Sequence, residues 1–320
     1  MTVTRTIRAR ALRTGSRIGL VAPAGPLLER DDLARGRELC LALGYQPVLF
    51  PNAGRKHGYL AGTDDERVAD LNAALADPSL DAVWCLRGGY GMTRILPRVD
   101  LAAAARHPKV VLGYSDITAL LVPLHAATGL VTFHGPIARA ALGPFSRWHL
   151  DRVTTSVSPA GRLGRLAPPS DVLVSSSNRI VTLRGGRAEG PLVGGNLSLL
   201  QCLVGTPWFP DLAGAILFIE DVGEDLYRVD RMLAHLRTVG ALGKVAGVVV
   251  GRFTEMDRGG DDGALGFDEV LATYLEPLGI PVAHGFPIGH IEEQWTMPIG
   301  VRARLDADAG EVELLEGAVA

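Results

Sequence analysis

The chain of 320 residues has few cysteines: Cys40, Cys85 and Cys202 lie far apart in apolar contexts. Without a CxxC pair or an adjoining Cys/His cluster, neither a disulfide framework nor a structural zinc site is expected, and the three read as core thiols of a reducing compartment. Strong charge of one sign is also missing. With 32 Lys+Arg against 35 Asp+Glu, and no stretch that interleaves basic residues with stacking aromatics, nucleic acid is not an expected partner. No apolar run approaches the roughly 18 residues that cross a bilayer, so no membrane partner is expected. The arginine-bearing start, MTVTRTIRARALRTGSRIGLVAP, has no apolar core or small-residue cleavage site of a secretory signal. It reads as a basic tail on a cytoplasmic protein.

Cofactor motifs are absent as well. There is no GxxxxGK[ST] phosphate loop, and the cluster Arg87-Gly88-Gly89-Tyr90-Gly91 does not complete GxGxxG, because Arg94 stands where the last glycine belongs. HExxH and EF-hand spacings are missing too. Neither a cofactor nor a metal is expected.

What the chain does carry is a strand and helix alternation. RIGLVAP, QPVLF, DAVWCL, KVVLGY and LVTF read as strands, separated by helical segments such as DDLARGRELCLALG, with Leu33, Leu39, Cys40 and Leu43 on one side, and DDERVADLNAALAD. This is the pattern of a parallel sheet covered by helices. The turns RGGYG, YSD and HGP fall at strand C-terminal ends, where open α/β sheets bind ligands. From 156 to 184 the chain turns rich in Pro, Ser and Gly and reads as a linker or crossing segment. The remainder, 185–320, reads as a mixed β/α domain, with strands GPLVGG, AILFIED and VAGVVVG, a helix carrying Leu226, Val229, Leu233 and Leu236 on one face, and a terminal hairpin in VRARLDADAGEVELLEG. The first domain then covers 1–155.

Three residues stand out as candidates for chemistry. Ser115, between the strand VVLGY and the helix ITALLVPL, is either a nucleophile on a tight strand-to-helix turn or the hydroxyl cap of that helix; the motif departs from GxSxG, since Ile117 takes the last glycine's place. Glu220 ends the apolar run AILFIED, either to orient a histidine or to meet solvent with Asp221. His290 lies in the Gly- and Pro-punctuated loop HGFPIGH, with His284 and His134 as competitors for any histidine role. His125 and His235 sit in helical patterns and read as structural.

The strings VLGYSDITALL, VTFHGP, GPLVGGNLSLLQCLVGTPW, LFIEDVGEDLYRVDRML and GFPIGH, in this order, resemble the LD-carboxypeptidase family of serine peptidases, whose relatives include the microcin C self-immunity peptidases. The likeness runs from about Arg17 to Gly300. It implies a Rossmann-like N-terminal domain carrying the nucleophile Ser115, a C-terminal β/α domain carrying Glu220 and His290 of the triad, and an active site at their interface. It further implies an oxyanion hole of the Asp116 and Gly89 amides, and a homodimer. The implied substrate is a small peptide, a murein tetrapeptide of peptidoglycan recycling, cleaved between an L-configured diamino acid centre and terminal D-alanine. Arg87 is a candidate anchor for the free carboxylate, or a surface arginine, or a partner of Asp116. Glu224 and Asp225 face either a substrate ammonium or the start of their own helix. Two other readings stay open: an immunity-type peptidase acting on an aminoacyl-nucleotide, and a non-catalytic binder of a small anion.

Overall fold

The computed structural model describes residues 6–167, 178–256 and 265–320. In its first half, β1 (Arg17–Val21), β2 (Gln46–Leu49), β3 (Ala82–Cys85), β4 (Val110–Gly113) and β5 (Thr132–His134) lie parallel in the order β2-β1-β3-β4-β5. Between and after them come α1 (Asp32–Ala42), α2 (Asp64–Ala76), the short α3 (Met92–Ile95) and α4 (Leu101–Arg106), α5 (Thr118–Thr128) and α6 (Pro144–Thr154). β3 and β4 are buried at every residue, as strands covered on both faces must be, and their sequences AVWC and VVLG are accordingly unbroken apolar runs. α2 is started by a reciprocal capping box between Thr63 and Glu66. α1 departs from expectation: its buried line is Asp32, Gly36 and Cys40, while Leu33, Leu39 and Leu43 are half-buried. Small residues every fourth position let that helix back closely onto the sheet.

The second half supplies β6 (Gly161–Arg162), β7 (Val181–Arg184), β8 (Arg187–Asn196), β9 (Ile216–Val222), β10 (Gly247–Thr254), β11 (Val282–His284), β12 (Met297–Ile299), β13 (Arg302–Asp306) and β14 (Glu311–Leu314). Its helices are α7 (Leu197–Leu203), α8 (Leu226–Thr238) and α9 (Phe267–Leu275). All of these strands but β12 form an eight-stranded mixed sheet, β6-β14-β13-β8-β9-β10-β11-β7, in which β8 to β11 run parallel and the outer strands antiparallel. The Pro- and Ser-rich stretch expected to link the halves contributes β6 and β7, the two edge strands; its residues 168–177 lie outside the described residues. The expected hairpin is β13 with β14, and the expected apolar face of α8 is buried.

β12 crosses back to the first sheet, where it pairs antiparallel with β5 and sets Met297 opposite His134. The two halves are thus laced together beside the strand ends, and a single apolar core spans both. The architecture is α/β: a parallel-sheet domain joined to a second, mixed-sheet domain. Among the described residues, no helix is long and apolar enough to cross a membrane.

Candidate active site

In the strand order β2-β1-β3-β4-β5, the sheet reverses direction of winding between β1 and β3, the crevice where such sheets take ligands. The turn after β3 closes this crevice: Gly25 N donates to the Gly88 carbonyl at 2.8 Å. Next to it, β4 ends at Gly113 and Ser115 turns the chain into a 3-10 turn that leads to α5.

Ser115 has φ +64°, in the left-handed region that a serine enters at a cost of about 1–3 kcal/mol. A helix-capping serine has extended backbone and accepts from an amide one turn on. Neither holds here. The residue before the turn is Tyr114, no side chain caps the turn or α5, and Ser115 Oγ makes no hydrogen bond among the described residues. The strained backbone and the uncommitted, half-buried hydroxyl are what an exposed nucleophile needs. Gly88 packs directly on it, since a Cβ there would lie 2.9 Å from Ser115 Cβ and 3.2 Å from its Oγ.

Glu220 is fully buried near the end of β9, not solvated as one reading of the sequence had it. Its Oε2 accepts from His290 Nδ1 at 2.8 Å. Because a carboxylate can only accept, Nδ1 carries the proton and Nε2 is left as the free base. Gly289, at φ +115°, makes this approach feasible, as a Cβ there would stand 2.6 Å from Glu220 Oε2. The other oxygen, Oε1, lies 3.5 Å from Nε2 of the buried His134, an ion-pair distance without a formed hydrogen bond. Burial raises the Glu220 pKa, but His134 and then His290 outweigh it and hold the carboxyl at about 2. The site therefore keeps a buried, ionised carboxylate behind an imidazole.

The two halves meet at β8 and α5. Asn196 stands opposite Glu220 in the β8/β9 register, and its backbone N–H donates to Thr118 Oγ1 at 3.0 Å, three residues beyond Ser115. Asn196 Nδ2 also donates to Asp221 at 2.8 Å, and Asp221 in turn accepts from the amide and hydroxyl of Ser198. Tyr114, beside the nucleophile candidate, stacks its ring 4.8 Å from that of His290. The Tyr114 ring thus sets the Ser115 turn beside the Glu220–His290 pair, although among the described residues Ser115 and His290 share no hydrogen bond. Asn196 caps α7, its side chain accepting from the Leu199 amide, while its hold on Asp221 and Thr118 depends on the pairing of distant segments.

The remaining candidates fall around this centre. Asp116 is buried and accepts from the Met92 amide at 2.8 Å; burial lifts its carboxyl to about 6, against that hydrogen bond and Arg67. Gly89, at φ +100°, follows Gly88 in the turn. Arg87 does not pair with Asp116; it donates to the Pro26 carbonyl. Asp225 pairs with Arg228 at 3.2 Å, while Glu224 accepts from Ser198 at 3.3 Å and lies 3.7 Å from Arg228. Both acids serve the start of α8. His284 stands 3.4 Å from Asp268, away from Glu220's partners, and His125 bonds the Leu130 carbonyl at 3.0 Å within the core.

Family models match both halves of the chain. The model of the LD-carboxypeptidase N-terminal domain matches residues 18–135, and that of the LD-carboxypeptidase C-terminal domain matches residues 189–305. A probable murein peptide carboxypeptidase of Bacillus subtilis (strain 168) is 37% identical over 312 residues, covering 98% of this chain and 95% of the relative. The crystal structure of muramoyltetrapeptide carboxypeptidase from Oxalobacter formigenes superposes with a TM-score of 0.80 at 33% identity, over 95% of this chain and 99% of that one. The microcin C7 self immunity protein in complex with aspartyl sulfamoyl adenosine superposes with a TM-score of 0.88 at 27% identity, over 98% and 100% of the two chains. Two family models on the two halves, and a relative of this identity along nearly the whole chain, establish that the protein belongs to the LD-carboxypeptidase family and is a peptidase.

Proposed function

We propose that the protein is a serine LD-carboxypeptidase that removes terminal D-alanine from murein tetrapeptides, cleaving the amide on the carboxyl side of an L-configured diamino acid centre, meso-diaminopimelate or L-lysine. The observation that supports the mechanism is the hydrogen-bonded pair of buried Glu220 and half-buried His290, with the ring of Tyr114, next in the chain to the strained Ser115, lying 4.8 Å from that of His290. His290 Nε2 takes the Ser115 proton as Oγ attacks the scissile carbonyl and returns it to the leaving D-alanine amine. Glu220 orients the imidazole and stabilises its charged form. The amides of Asp116 and Gly89 hold the tetrahedral oxyanion, and water then releases the acyl enzyme. Such a mechanism requires Ser115 and His290 to close their gap when substrate is bound, which is common for catalytic hydrogen bonds that are long without substrate. Arg87, beside the oxyanion turn, gives one N–H to the Pro26 carbonyl and has others for the terminal carboxylate that make no hydrogen bond among the described residues.

The reading extends to a cytoplasmic homodimer working in peptidoglycan recycling, supported by the family likeness and checked by sedimentation and by fractionation of the native protein. The decisive experiment is release of D-alanine from lysine- and diaminopimelate-containing tetrapeptides, unchanged by chelator and abolished in a folded Ser115→Ala. Full activity in that variant refutes the nucleophile. The likeness to an immunity protein bound to an aminoacyl sulfamoyl nucleoside favours a second reading, cleavage of an aminoacyl-nucleotide. Comparing kcat/KM on the two substrates separates them.

A further inference from the structure

Glu220 is a charge sealed from solvent, yet only one of its oxygens has a short hydrogen bond. A buried carboxylate needs both oxygens compensated, since an unpaired buried charge is among the most destabilising features a fold can contain. The group facing the second oxygen is His134. It is itself fully buried, neither ring nitrogen has a hydrogen bond among the described residues, and Glu220 Oε1 lies 3.5 Å from its Nε2. An apolar residue would fill such a place with less penalty if packing were all that mattered.

The position of His134 is fixed from several sides. Its backbone ends β5, in register with Gly113 of β4 and Met297 of β12, so it sits two residues along the register from the nucleophile candidate. Its ring meets Phe218 of β9 edge-on at 5.5 Å and Tyr114 at 6.1 Å, and Tyr114 in turn lies against His290. The strand carrying the acid meets this imidazole through Phe218, and the turn carrying the nucleophile candidate meets it through Tyr114, the ring that also lies beside the base. The titratable groups that face it are Glu220 from β9 and Tyr114 from the turn after β4, with His290 on the other oxygen of Glu220; Met297, paired with it from β12, is neutral.

Resting on the reading of Ser115, Glu220 and His290 as the triad, we propose that His134 is a positioning residue: its Nε2–H holds Oε1 of Glu220, fixes the plane in which Oε2 meets His290, and sets how much of the carboxylate's charge His290 receives. The tautomer follows from the partner, because a carboxylate accepts and Nε2 must then donate. In keeping with this, burial pushes Glu220 up and His134, ahead of His290, heads the interactions that bring it down to about 2. Without His134, the undivided negative charge of Glu220 falls on His290 alone, and the carboxylate is free to rotate.

The test compares kcat, KM and the pH profile of kcat/KM for wild type, His134→Gln and His134→Asn on the tetrapeptide. The glutamine amide reaches about where Nε2 does, whereas the asparagine amide falls short. His134→Asn is expected to lose roughly 10- to 100-fold in kcat, with KM nearly unchanged and the acid limb moved to higher pH, and His134→Gln to recover most of both. Wild-type kcat and acid limb in His134→Asn, or equal losses in both variants with an unmoved limb, overturn the proposal. On the unmutated protein, long-range 1H–15N spectra should show His134 protonated at Nε2; protonation at Nδ1 alone overturns it without recourse to any variant that fails to fold. Ser115→Ala, measured alongside, keeps the two readings apart: inactivity there with an unaffected His134→Asn refutes the positioning role alone, and retained activity there refutes the triad beneath it.

Discussion

The carboxylate of Glu220, closed off from solvent, accepts a 2.8 Å hydrogen bond from His290 Nδ1. Replacing it by glutamine keeps the volume and offers a carbonyl oxygen to the same N–H, so the imidazole can stay in place. What is lost is the charge that stabilises the imidazolium in the transition state. Glu220→Gln is expected to lower kcat by roughly 10⁴-fold with a much smaller change in KM, and to lower the melting temperature modestly because its amide NH2 then faces His134 Nε2. Steady-state kinetics and a melting curve decide it; kcat within tenfold of wild type would remove Glu220 from the mechanism.

Gly88 lies so close to Ser115 that any side chain must displace the turn. A Cβ there would stand 2.9 Å from Ser115 Cβ and 3.1 Å from the Tyr114 carbonyl. Gly88→Ala is therefore expected to shift the nucleophile by a fraction of an ångström or more and to cut kcat by about 100-fold. Labelling of Ser115 by a serine-directed phosphonate should slow in parallel, while a folded melting transition persists. Unchanged labelling would show that the turn tolerates the shift.

Much of the fold around the candidate site was legible in the sequence. Strands of the parallel sheet announce themselves because AVWC and VVLG are buried on both faces and must be apolar throughout. The apolar face of α8 is equally plain. The role of Ser115 is not, because a cap and an elbow use the same residue types; its φ of +64° and a hydroxyl without a hydrogen bond among the described residues speak against the cap, and neither is written in local sequence. The same holds for Glu220, whose neighbour Asp221 suggested solvent. Only the register of β9 against β8 and β10 shows both acids buried, one facing histidines and the other bonded to Asn196 and Ser198. β12 was illegible for a related reason: three residues, MPI, carry no period, and their place beside β5 is set by long-range pairing.

Asp116 gives the protein a measurable dependence of stability on pH. Burial raises its carboxyl from 3.8 to about 6, so between these values the folded state binds more protons at this group than the unfolded state. Stability contributed by Asp116 is accordingly greatest below about pH 4, falls as pH rises through that window and is level above it. Asp116→Asn keeps an oxygen for the Met92 amide and removes the buried charge. The variant is expected to lose this slope and to gain on the order of 1–2 kcal/mol at pH 7, measured by urea unfolding at pH 4 and pH 7. A wild-type slope in Asp116→Asn would place the titration elsewhere.

Lys109 offers the converse test, at the opposite end of β4 from Ser115. It is buried, and its ammonium donates to the Ala74 carbonyl at 2.9 Å and the Asp77 carbonyl at 2.5 Å, closing the C-terminal end of α2. Burial lowers its pKa from 10.5 to about 8, with Asp77 and Asp81 acting in the other direction. Between those values the unfolded state binds the extra proton, so the stability contributed by this group rises with pH across the window. Lys109→Met leaves two carbonyls without their donor and is expected to lose roughly 2–4 kcal/mol, together with that rise between pH 8 and 10.5. Because the lysine ties a helix end and touches nothing in the cleft, kcat and KM at 25 °C should match wild type. Denaturant unfolding across that pH range and one kinetic measurement suffice, and a loss of kcat in a folded Lys109→Met would show that the far end of β4 is mechanically coupled to its nucleophile.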